Sequence, residues 1–173
     1  MLALLAAVLA TSTPAPAPTP MLEASVPWWE RITVTVDDKG EQQSCRYETS
    51  SSASGGEACG EAMASTVPGT GKISSGLYSK LTFERRFSPG GRLDSGKLEP
   101  GDTLIGRQVM FLTFDANGAV SGCHVVAVSG DAPTEYGCDQ AKKEQFRVPA
   151  AAAPAERQAF MTILAYGHTE HLA

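Results

Sequence analysis

The sequence predicts an α+β fold of two β-β-α-β units, each an antiparallel sheet packed against short helices and held by one disulfide. Three observations predict it: a degenerate internal repeat, a hairpin signal opening each copy, and one pair of cysteines at similar spacing in each copy. The repeat appears when ITVTVDDKGEQQSCRYETSS (32–51) is set under FLTFDANGAVSGCHVVAVSG (111–130) with Gly40 on Gly118. Each copy has an alternating run ending in Asp (Asp37, Asp115), then a Gly (Gly40, Gly118), then a Cys (Cys45, Cys123). A second Cys (Cys59, Cys138), a Val-Pro pair (Val67-Pro68, Val148-Pro149) and a further alternating run (LTFERRF, 81–87; MTILAYG, 161–167) follow in the same order.

The elements follow in chain order. MLALLAAVLA (1–10) is an apolar run of about ten residues, half of the roughly 20 that span a bilayer, and it suits the h-region of a secretory signal with Val8-Leu9-Ala10 as a cleavage site. No Lys or Arg precedes it, so a start further upstream with a longer anchor is the competing expectation. TSTPAPAPTP (11–20) alternates Pro with small residues and reads as an extended tether. Residues 1–20 are thus signal-like segment and tether, 21–88 the first unit, 89–105 a linker and 106–173 the second unit. The linker assignment rests on SPGGRLDSGKLEPGD (88–102), rich in Gly, Pro and charge.

Within each unit, Ile32–Val36 and Val109–Phe114 have strand composition, and the turn signals DDKG and DANG fall between two such runs, so a β-hairpin opens each. Val109 and Phe111 on one side and Met110, Leu112 and Phe114 on the other make both faces apolar, which places this strand centrally. Glu57–Thr66 and Glu135–Gln145 are polar, contain no internal Pro and are expected as short helices; the closing runs supply a third strand. Trp28 and Trp29 precede the first strand, and one Trp is expected over the small core in preference to a stacking platform for a ligand.

A unit of about 60 residues buries little core, and small extracytoplasmic domains compensate with disulfides. The expected pairs are Cys45 with Cys59 and Cys123 with Cys138, each tying the second hairpin strand to the start of the helix. A zinc site or a thioredoxin-like couple would call for C-x-x-C spacing, which is absent.

The second half, from 106 to 167, resembles the C-terminal domain of TonB-type energy transducers. The likeness is carried by Gly106 and Val109 opening the strand, Asp115, Gly118 and Val120 around the turn, Val126, Ser129 and Gly130 ahead of the helix, and Phe146, Pro149 and Ala150 after it. The cysteines resemble a subgroup with one Cys on the second hairpin strand and one on the helix. The family's Tyr-Pro-x-x-Ala stretch is absent, Thr134-Glu135-Tyr136 stands where Leu-Asp is usual, and no proline-rich, charge-bearing spacer follows a membrane helix. What the resemblance implies is a periplasmic, non-catalytic module that binds a protein of the envelope, an outer-membrane transporter in the family, by strand addition to the third strand. By position the edge residues would be Phe160, Thr162, Leu164 and Tyr166, with Leu81–Phe87 in the first half. An open edge also admits an edge-to-edge homodimer; in the alternative, the two third strands pair with each other and the protein is a structural or accessory envelope component. With an anchor upstream, it would be a transducer component.

A net charge of -5 and no basic run longer than Arg85-Arg86 or Lys142-Lys143 exclude a nucleic-acid partner; those pairs read as solvated surface. No cofactor or metal is expected. His168 and His171 read as a frayed tail, His124 as a surface or partly buried residue facing away from Cys123, and Ser129-Gly130 as a strand-to-helix turn with no GxSxG around it. No catalytic residue is assigned.

Overall fold

The computed structural model describes residues 21–39, 41–51, 59–60, 78–94, 96–131 and 136–169. The signal-like segment and tether, Val67-Pro68, Thr134-Glu135 and His171 lie outside them, as does all of the first expected helix except Cys59-Gly60, which are helical. No helix among the described residues is long and apolar enough to cross a membrane.

The chain is mostly β. Its strands are β1 (Leu22–Glu23), β2 (Trp28–Val36), β3 (Gln42–Thr49), β4 (Lys80–Pro89), β5 (Asp102–Phe114), β6 (Val120–Gly130), β7 (Phe146–Arg147) and β8 (Gln158–His168), with one helical turn, α1 (Cys138–Ala141), between β6 and β7. Six strands form one antiparallel sheet in the order β3-β2-β4-β8-β5-β6, and β1 and β7 pair in parallel as a separate ribbon. Both predicted hairpins are present, β2-β3 and β5-β6, and β5 lies between β6 and β8 as its two apolar faces require.

The two halves are built to one register. Val34 faces Cys45 and Leu81, and Leu112 faces Cys123 and Ala159, each residue lying 78 positions after its counterpart. The turns agree at the same offset: Asp37 Oδ1 accepts the amides of Lys39 and Glu41, and Asp115 Oδ1 accepts those of Asn117 and Ala119. Such Asp side chains hold a turn by replacing backbone partners. At Gly118 (φ +82) a Cβ would meet the Phe146 carbonyl oxygen at 1.7 Å, so only glycine fits the second turn. The third strands therefore correspond as Leu81 to Ala159, two residues away from the match of Leu81 with Met161 expected from sequence; a shift of two leaves every side chain on the same face.

The main core lies on one face of the sheet. Trp28, Phe87, Met110, Leu112, Phe114, Ala159, Met161 and Ile163 pack there beneath Ala141 of α1 and Leu22 and Phe146 of the ribbon. Trp28 is the buried tryptophan, stacked on Phe87 at 5.3 Å between centroids. The second helix is a single turn where eleven residues were expected over Glu135–Gln145. Phe146 is drawn into the parallel pairing with Leu22, and Phe146 N–H donates to the Gly118 carbonyl, so the chain must extend early.

The linker does more than connect. Asp94 accepts from Arg86 through its carboxylate and from the Thr162 hydroxyl through its backbone carbonyl, while its own N–H donates to Ser88 Oγ. The segment after β4 thereby covers the middle of the face opposite the core. This is why β8 is buried on both faces from Met161 to Gly167.

Candidate functional site: the sheet edges and the charges beneath them

Phe160, Thr162, Leu164 and Tyr166 do not form an edge. Each is paired on both sides: Phe160 with Ser88 and Phe111, Thr162 with Arg86 and Val109, Leu164 with Glu84 and Arg107, and Tyr166 with Thr82 and Leu104. Leu81–Phe87 likewise runs between β2 and β8. The two third strands satisfy one another's backbone groups, which removes an apolar edge that would otherwise invite aggregation. Phe160, Thr162, Leu164 and Tyr166 share the face turned toward the linker, where Thr162 and Leu164 are buried.

Arg85 and Arg86 are not solvated surface. On the linker face, Glu84, with a side chain 2% exposed, accepts from Arg31 Nε and Tyr166 Oη at 3.0 and 2.9 Å and pairs with Arg86, which in turn pairs with Asp94. On the core face, Arg85 pairs with Glu144, lies 2.6 Å from Glu30, and sits over the rings of Trp28 and Tyr136 at 5.2 and 4.7 Å. Burial works against the Arg85 charge, yet Tyr136, Glu144 and Glu30 outweigh it and raise its pKa. Burial and the neighbouring Glu84 push the Tyr166 hydroxyl up, so it remains a donor. These charges join β2 and β4 of one half to β8 and the α1 segment of the other. The alternation Thr82, Glu84, Arg86 against Leu81, Phe83, Phe87 hinted at a second buried face, but the partners that neutralise it come from distant strands.

Asp94 carries a testable pH dependence. The Gly96 amide and Arg86 hold its carboxyl below the usual carboxylate value despite some burial. Its contribution is complete above about pH 4 and is lost as the pH falls through the depressed value. We expect Asp94→Asn to be less stable than the parent near neutrality, with the difference closing in denaturant titrations carried down to about pH 2.

His168 is not a frayed tail: it ends β8, paired in register with Lys80 and Asp102, and its Nδ1 lies 2.9 Å from Asp102 Oδ1. His124 faces away from Cys123 and is exposed. Ser129 is a strand residue opposite Arg107, and Gly130 (φ +66) makes the turn, with the Ile105 carbonyl too close to admit a side chain.

The true edges are β3 and β6. Both disulfides fall on them, Cys45–Cys59 on β3 and Cys123–Cys138 on β6, with Cα separations of 5.7 and 5.5 Å, and no cysteine is free. The edges differ in chemistry. β3 carries an Arg46–Glu48 ion pair. β6 carries no Asp, Glu, Lys or Arg over its 11 residues, and Val125, Val126 and Val128 are 46%, 47% and 60% exposed. Beyond the bridge of Ala119 to Gln145 at its start, β6 has no ladder partner on its outer side among the described residues. A cleft of about 520 Å³ at the end of β4, lined by Pro27, Pro89, Leu93 and Pro149 among others, carries no constellation of reactive groups. Comparison with protein-family models, curated proteins and solved structures finds no match for this chain.

Proposed function

We propose that this chain is a non-catalytic, periplasmic protein-binding module of two TonB-like β-β-α-β units joined through their third strands, which captures an extended protein segment by adding it to the outer edge of β6. The observation that carries the reading is the β6 edge: 11 residues without a formal charge, with Val125, Val126 and Val128 exposed and no described partner beyond its first bridge. Natural edges are normally blunted by Lys, Pro, bulges or a cover; β6 is irregular at Ser121 and Val126 but carries neither charge nor Pro, and such an edge serves for strand addition. The equal registers of the two halves support the two-unit description. The paired cysteines support an oxidising compartment and hence export. An outer-membrane transporter is the partner class the TonB resemblance suggests.

The mutual pairing of β4 and β8 favours a second reading, a structural or accessory envelope protein with its third strands closed on each other. A blocked peptide of alternating Thr and Val separates the two. Under the binding reading it saturates the protein and slows exchange of β6 amides, and Val126→Lys weakens it about tenfold by placing a charge on the edge. Exchange at β6 unmoved by peptide would leave the structural reading standing.

A further inference from the structure

Three rings step directly across neighbouring strands toward the free edge. Phe160 of β8 faces Phe111 of β5, and Phe111 faces His124 of β6, in strict cross-strand register. Their centroids are 5.3 Å apart at both steps, edge-on between the phenylalanines and tilted against the imidazole. The row stops at His124, which is exposed on the outermost strand. A strand added to β6 would set one side chain directly opposite His124, with Cβ atoms about 5 Å apart. At that place an aromatic ring continues the stacking and meets the face and edge of the imidazole, whereas an aliphatic residue covers only part of it. After His124 the edge offers the exposed Val125, Val126 and Val128, and no residue of β6 carries a formal charge, so charged residues on the incoming strand would be desolvated without a partner.

We infer that the segment captured at β6 is an uncharged, extended stretch of another protein bearing an aromatic side chain in register with His124. This rests on the strand-addition reading and names the chemistry of its partner.

The test uses two blocked peptides of alternating Thr and Val, identical except for Trp or Ala at the centre, titrated calorimetrically into the full chain and into His124→Val. Valine holds strand propensity at an exposed position, so the variant keeps the edge. The parent is expected to bind the Trp peptide about fivefold more tightly than the Ala peptide. In His124→Val that ratio should fall to about one, whatever the affinity for the Ala peptide. A preference for Trp that survives in His124→Val, or equal binding of both peptides by the parent, overturns the inference and leaves strand addition intact. Failure of both peptides to bind the parent removes the strand-addition reading itself. A concentration-dependent dimer that neither peptide dissociates would show the edge taken by a second copy, and would overturn the inference too.

Discussion

Replacing Arg85 by alanine is expected to cost the fold about 3–5 kcal/mol, among the largest effects any single substitution in the charged layers should have. The Arg85 side chain is 14% exposed and its guanidinium neutralises Glu30 and Glu144, whose side chains are 26% and 22% exposed, while lying over the rings of Trp28 and Tyr136. Removing it leaves two neighbouring acids in a poorly solvated place and opens a gap between the rings, so the penalty comes from the stranded partners as much as from the lost pair. Urea unfolding near neutral pH should register it as a lower midpoint with little change in slope. Replacing Arg85 by Met together with Glu30→Gln and Glu144→Gln should recover most of the loss, because no unpaired charge then remains. A cost below about 1 kcal/mol for Arg85→Ala would mean that water reaches the cluster and that the pairs behave as surface ion pairs.

The second large effect belongs to Cys123–Cys138. The bridge closes a loop with a sequence separation of 15, worth about 3 kcal/mol in the chain-entropy account. Its position adds to that. The same short segment carries Tyr136 and Glu144, both partners of Arg85, so loosening α1 also loosens the charge cluster. We expect Cys123→Ala with Cys138→Ala to melt about 6–12 °C below the parent. Combined with Arg85→Ala, its effect should be smaller than the sum of the two, since each variant already spoils what the other would remove. Strict additivity in thermal melts would show that the staple and the cluster act separately.

Much of this architecture was legible in local signals. Alternation marked β2, β4, β5 and β8; Asp115 and Gly118 marked the turn; and the spacing of Cys45, Cys59, Cys123 and Cys138 marked the staples. Each depends on residues close in sequence, where side-chain period and turn chemistry act directly. What escaped is what local pattern does not encode. Nothing in LTFERRF states that its strand will lie against β8, so open third-strand edges and their mutual pairing both stood as expectations. Once they are paired, Arg85 and Arg86 become interior, and their neutralisation by Glu30, Glu84 and Glu144 follows from strand order. The linker, rich in Gly, Pro and charge, read only as a connection because the acceptors it offers to Arg86 and Thr162 appear only in three dimensions. The ring row ending at His124 was hidden for the same reason: its members lie in three strands, and only register aligns them.

The pairing of β4 with β8 has one residue pair, Arg85 with Ile163, that an exchange of the two halves would carry onto itself. Had the same interface joined two separate identical chains, one residue type would have met itself there, and dilution would have split the assembly. Held in one chain, the halves meet at a fixed effective concentration, so the junction survives however scarce the protein becomes. The two sides are also free to specialise, one giving the cation Arg85 with Glu30 and the other the aliphatic Ile163 with a second acid, Glu144. A symmetric dimer has no access to that division of labour.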